Sequence, residues 1–331
     1  LERLLHKLPS GDDRVRIGPR VGEDAAVIDM GDRYLVAKTD PITFATDRIG
    51  WYLVNINAND VACMGADPKW LLVTCLLPEH DTDAGRVESL FDDLSAACSE
   101  LGITLCGGHT EITLGLDRPI LVGQLLGEMA KERFVDKRDI RPGDRILLTK
   151  GIAVEGTCVI ARERGDLLRE RVSEKVLEKA RGFLQEPGIS VVKDARVALE
   201  AAGPAIHGMH DPTEGGLVQG VRELATRAGV GIRLEGERIP VLPETKALAG
   251  HFGIDPMGLL ASGSLLIVVT PRGEGRVRDA LEGAGISCVP IGRTCPVEQG
   301  LKWDRGGRET ELPEFVSDEL VKVFAKENPP T

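Results

Sequence analysis

Five short stretches of the chain set carboxylates beside small residues, next to apolar segments. "VGEDAAVI" places Glu23 and Asp24 just before a strand, and "AKTDPI" places Thr39 and Asp40 at a strand's end. "VNINANDVACMGADPKWLL" carries Asn59 and Asp60, and "CGGHTEIT" carries Gly107, Gly108, His109, Thr110 and Glu111. "HDPTEGGL" sets Asp211, Thr213 and Glu214 at a helix start. Carboxylate and hydroxyl oxygens suit hard cations such as magnesium, which usually arrives with phosphates. Small residues let a backbone approach a phosphate, and helix N-termini bind anions. Each stretch also reads as ordinary structure. "GED" can be a turn, Asp40 before Pro41 can cap a strand, and Asp211 with Glu214 fits a capping box.

Asp60 is the most informative of these residues. Projected at 100° per residue, Val54, Ala58, Val61 and Gly65 share one side of a helix, and Leu53, Ile56, Asp60 and Met64 share another. No continuous polar face results. Gly65 stops this helix and Pro68 prevents its return. A helix that is apolar on most sides is buried. Its carboxylate then needs a cation, strong donors or a proton.

These residues need elements to hold them. Tyr34–Thr39, Leu71–Leu77, Ile103–Cys106 and Ile120–Leu126 read as strands. Val87, Leu90, Phe91, Leu94, Ala97, Cys98 and Leu101 follow helical spacing up to Gly102. "RDIRPGDRILLTKG" marks a boundary, a charged Pro-Gly turn that leads into a strand at Ile146–Thr149. Beyond it, helical patterns lie near 153–164, 172–183, 191–201 and 274–283. Ala205–Met209 is a short apolar segment, and strands fall at Val230–Leu234, Leu265–Thr270 and Cys288–Ile291. Leu217, Val218, Val221, Leu224, Ala225 and Ala228 make a helical stripe. Strands and helices mix without regular alternation, which predicts two α+β domains, residues 1–140 and 141–331. The end, "KENPPT", reads as frayed.

With 331 residues, 42% hydrophobic and 28% charged, the chain reads as globular. No apolar run approaches the roughly 18 residues of a membrane span. No signal peptide pattern opens it. The net charge of -11 argues against a general nucleic-acid binder. Seven cysteines, none in a C-x-x-C pair, argue against zinc ribbons and a disulfide framework and fit a reducing cytoplasm. There is no G-x-x-x-x-G-K-[ST] loop and no dinucleotide fingerprint after the first strand.

In the order "GEDAAV…KTD…NANDVACMGADP…GGHTE…DPTEGGL…ASGSLLI" the sequence resembles the aminoimidazole-ribonucleotide-synthetase-like (PurM-like) superfamily over roughly residues 20–295. Its members include thiamine-monophosphate kinase, selenophosphate synthetase and HypE. "DPT-x-GGL" and "ASG-x-LLI" look most like HypE. The resemblance implies two α+β domains, an N-terminal ATP-binding and dimerising domain and a C-terminal one, with the N-terminal sheets of a homodimer joined into a β-barrel. It implies ATP and magnesium, and attack on ATP by an amide, carbonyl or phosphate oxygen of a small-molecule or protein acceptor. Carried over by position, Asp24, Asp40, Asp60 and Glu214 become metal and phosphate ligands. Asn59, Thr39, Gly107, Gly108 and Thr213 become nucleotide contacts, and His109, Glu111 and Asp211 catalytic residues.

Three departures stand out. His109 occupies a position where members often carry Asp, Asn or Glu. In an extended segment His109 and Glu111 point to one side, so either Glu111 replaces the missing carboxylate or His109 marks another substrate or a weakened metal site. The sequence ends "VFAKENPPT" and its last cysteine is Cys295, whereas HypE ends in a cysteine that receives a carbamoyl group. The HypE reaction in its usual form, on the chain's own terminal cysteine, is therefore not the expectation. No reactive cysteine sits in an N-terminal glycine-rich loop, which argues against selenophosphate synthetase. Alternatives to HypE-like chemistry are phosphorylation of thiamine monophosphate and a nucleotide-binding scaffold without catalysis.

Overall fold

The computed structural model describes residues 2–5, 11–20, 22–169 and 171–325; "KENPPT" lies outside them. The chain divides into two compact units, Leu1–Phe134 and Val135–Thr331.

The first unit is built on a six-stranded sheet. Its strands are β1 (Val15–Ile17), β2 (Ala26–Asp29), β3 (Arg33–Ile42), β4 (Asp67–Pro78), β5 (Thr104–Thr113) and β6 (Ile120–Ala130), in the order β1-β2-β3-β6-β4-β5. All neighbours are antiparallel except β4 and β5. A parallel pair needs a crossover, and the helix Ala84–Leu101 provides it. Asp83 caps that helix by accepting from the Arg86 N–H, and Gly102 ends it, as the spacing predicts. β1 and β5 are the edges, so among the described residues of one chain the sheet stays open.

The helix Ile49–Cys63 packs on β3, β6 and β4, and every one of its residues is buried. Two of its asparagines settle their amides locally. Asn55 Nδ2 donates to the Trp51 carbonyl and Asn57 Nδ2 to that of Leu53, each 2.9 Å away. The approach to the sheet depends on a missing side chain, since a Cβ on Gly123 of β6 would lie 2.6 Å from Asn57 Nδ2.

Two local expectations change. The short strand read at Ile103–Cys106 is a ten-residue strand, β5, so "GGHTEIT" runs inside it rather than turning after it. Pairing with β4 explains this, because it continues from Trp70–Thr104 to Pro78–Thr113. Asp40 lies within β3 instead of at its end, since its pairing with Gly123 is followed by that of Pro41 and Ile42.

The second unit carries a seven-stranded mixed sheet. Its strands are β7 (Arg145–Thr149), β8 (Ile206–His210), β9 (Gly231–Glu235), β10 (Leu266–Val269), β11 (Cys288–Cys295), β12 (Leu301–Arg305) and β13 (Arg308–Glu311), in the order β13-β12-β9-β11-β7-β10-β8. The helix Gly216–Ala228 buries Leu217, Val218, Val221, Leu224 and Ala225, the stripe its spacing predicts. They join Ile146, Leu148, Ile232, Leu266, Val268 and Trp303 in one core. Among the described residues, no helix is long and apolar enough to cross a membrane.

Candidate functional site

β3 and the buried helix bring two of the sequence-predicted carboxylates, Asp40 and Asp60, to one place in the first unit. Lys38 and Asp40 stand two residues apart in β3 and therefore on the same sheet face. Asp60, only 3% exposed, reaches that face from the helix Ile49–Cys63. Lys38 Nζ lies 2.8 Å from Asp60 Oδ2 and 3.5 Å from Asp40 Oδ2. Asp24, in the loop before β2, is near enough for its charge to act on both Lys38 and Asp40. Asn57 Nδ2 also reaches the Asp40 carbonyl at 3.4 Å and ties β3 to the helix at this point.

The electrostatics follow from burial and pairing. Burial alone would lower the Lys38 pKa, but the charges of Asp60, Asp40 and Asp24 outweigh it and hold the ammonium above its ordinary value. Burial raises the Asp40 carboxyl and the Asp24 charge adds to this, while Lys38 pulls the other way. Asn59 neighbours Asp60 and is fully buried. Thr39 sits on the opposite face of β3, where its hydroxyl donates to the Gly123 carbonyl at 2.9 Å. It does not join the cluster.

His109 and Glu111 lie on β5 and share a side, with His109 Nε2 3.4 Å from Glu111 Oε2. Both side chains are more than half exposed. Gly108 beside them has a packing reason for being glycine: a Cβ there would come within 1.9 Å of the Val73 carbonyl oxygen. Gly107 lies in the same strand, and a Cβ there would meet nothing within 4 Å.

In the second unit, Asp211, Thr213 and Glu214 occupy the loop between β8 and the helix Gly216–Ala228. Asp211 is buried and Glu214 exposed. The expected capping box from Asp211 to Glu214 is absent, because the N-cap is Gly215 and the helix begins one residue later. The Gly215 N–H instead donates to Asp318 Oδ2 at 2.7 Å. The loop is closed by the Thr213 carbonyl, which accepts from the N–H groups of Gly216 and Ala261. His210 Nε2, just before Asp211, lies 3.0 Å from Glu223 Oε2.

Comparison with known families matches two models to nearly all of this architecture. The AIR synthase related protein N-terminal domain matches residues 22–129, and the C-terminal domain of the same family matches residues 141–303. The chain belongs to the AIR synthase related family. Among its relatives, carbamoyl dehydratase HypE of Rhizobium leguminosarum bv. viciae is 27% identical over 85% of this chain and 77% of the relative. A selenide, water dikinase of Nitratidesulfovibrio vulgaris is 30% identical over 80% of this chain and 72% of the relative. A crystal structure of the hydrogenase maturation protein HypE in complex with ATP superposes with a TM-score of 0.74 at 22% identity, covering 92% of both chains. This last likeness establishes the shared fold.

Within this member of the family, two residues escaped the sequence reading. Lys38 lies two positions from Asp40 in a β-prone run, and that spacing alone would have put both on one face. The distance to Asp60 carried no signal in the sequence. Asp318 lies more than a hundred residues from Gly215, and nothing local links them.

Proposed function

We propose that this family member is an ATP-dependent enzyme with HypE-like chemistry. The oxygen of an amide, carbonyl or phosphate acceptor attacks the γ-phosphorus of ATP. The bond from that phosphorus to the β–γ bridging oxygen breaks, and ADP leaves with the electron pair. The observation that carries this reading is the meeting of Asp40 and Asp60 across Lys38 in the first unit, with the charge of Asp24 acting on the same lysine. Such a donor set is oxygen-only and partly desolvated, and it fits magnesium. Magnesium supplies charge neutralisation at the phosphates when bound. A relative in this family is a carbamoyl dehydratase, and a solved HypE of the same fold binds ATP.

Within this proposal Asn59, Gly107 and Gly108 contact nucleotide. His109 and Glu111 serve the acceptor and its proton transfers. The active form is a homodimer joined through the first unit. β5 favours this arrangement, since it is an unpaired edge exposed along nearly all its length.

The test is ADP release by the purified protein with magnesium and ATP, while acceptors are offered in turn. An S-carbamoyl cysteine peptide, thiamine monophosphate and selenide form the panel. We expect magnesium-dependent release that the carbamoyl peptide accelerates. Acceleration by thiamine monophosphate or selenide alone would replace HypE-like chemistry by phosphorylation of that acceptor. ATP bound without turnover under any acceptor would leave a scaffold.

A further inference from the structure

The same pocket holds a cation supplied by the chain itself. Lys38 Nζ stands against Asp60 Oδ2 at 2.8 Å and close to Asp40 Oδ2 at 3.5 Å. Its side chain is 17% exposed and that of Asp60 5%. Magnesium binds carboxylate oxygen at about 2.1 Å and demands a nearly octahedral shell. To take Asp60 Oδ2 it must displace the ammonium. The ammonium would then be left in a largely buried position without its closest partner, at a substantial cost. If both stayed, a divalent and a monovalent cation would repel each other at short range.

We infer that Lys38 is a built-in cation that keeps bare magnesium away from the Asp40 and Asp60 carboxylates until nucleotide phosphates give the ammonium another anion to hold. The inference rests on the reading of these carboxylates as the magnesium and phosphate site. Lys38 thereby sets the order of binding, with magnesium entering together with ATP. A lysine suits this task because its ammonium is a compact point charge on a flexible stem and can turn from a carboxylate to a phosphate. Lys38 is accordingly a selectivity residue, and the same lysine is positioned to bind phosphate once nucleotide is present.

The experiment measures manganese binding by electron paramagnetic resonance, without nucleotide, on the full chain. Wild type and Lys38→Met are compared, with Lys38→Gln as the substitute if the methionine variant does not fold. Removing the ammonium should tighten free-manganese binding by at least about tenfold. Melting of the variant should shift upward on adding magnesium without nucleotide, because the metal replaces the lost positive charge. Wild-type melting should respond to magnesium only together with a non-hydrolysable ATP analogue. Equal manganese affinity in wild type and variant, with wild type still binding the magnesium–nucleotide complex, overturns the role of Lys38 alone. Wild type that binds neither metal nor the magnesium–nucleotide complex overturns the site itself.

Discussion

A buried carboxylate in an apolar helix is tolerated because something neutralises it, and for Asp60 the neutralising group in the folded chain is Lys38. The residue therefore has two roles, as the partner of Lys38 and as a proposed metal ligand. Asp60→Asn removes the charge from both. Breaking a largely buried pair from one side costs about 3 kcal/mol or more, so the variant should lose stability in chemical denaturation. It should also weaken binding of the magnesium–ATP complex at least tenfold, about 1.4 kcal/mol, by calorimetry. The double variant Lys38→Met/Asp60→Asn should lose less stability than the two single losses combined, since neither charge is then left alone. Strict additivity would mean that the two side chains do not interact. Unchanged nucleotide affinity in Asp60→Asn would remove this residue from the site.

Among the elements, the loop "DPTEGG" depends on a segment far along the chain. Asp318 accepts from the Gly215 N–H at 2.7 Å, the Leu320 N–H at 2.7 Å and the Leu260 N–H at 3.3 Å. One carboxylate thus joins the start of the helix Gly216–Ala228 to the loop that opens "ASGS". Asp318→Asn would turn an amide donor towards one of these backbone donors. The unsatisfied N–H should cost about 1–3 kcal/mol, readable as a lower denaturation midpoint with an unchanged slope. Burial raises the Asp318 carboxyl above its ordinary value, against the pull of the three N–H groups. The folded chain therefore takes up this proton at higher pH than the unfolded chain does. Stability from this group is present below the ordinary carboxylate value and fades as pH rises through the raised one. The advantage of wild type over Asp318→Asn should widen as pH falls through that window. An advantage that narrows there would show that the three donors, not burial, dominate.

At the scale of the whole molecule, the first unit presents in β5 a strand that pairs on one side only among the described residues. Leu105 is 40% exposed and Ile112 58%, both on β5, and Leu114 just beyond it is 77% exposed. An unpaired edge of this length that exposes Leu105 and Ile112 is unusual unless another strand covers it. We expect a dimer by light scattering at micromolar concentration. Ile112→Asp should shift it towards monomer and leave the fold of each chain unchanged by circular dichroism. A wild-type monomer at those concentrations would sink the proposal of pairing through this edge, and with it the homodimer as the active form.

Periodicity and punctuation made most elements readable from the sequence. The stripe from Leu217 to Ala225 faces the core as its spacing requires, and Gly102 ends its helix because a left-handed residue closes the last turn. The burial of Asp60 was equally legible, since a helix without a polar face has nowhere else to go. These features depend on neighbours a few residues apart. The extent of β5 did not, because its pairing with β4 decides how far a glycine-rich run stays extended. The meeting of Lys38 with Asp60, and of Gly215 with Asp318, likewise belongs to the tertiary structure. Each joins residues from separate elements, and only packing fixes the distance between a strand and the helix across it, or between a helix start and a distant tail.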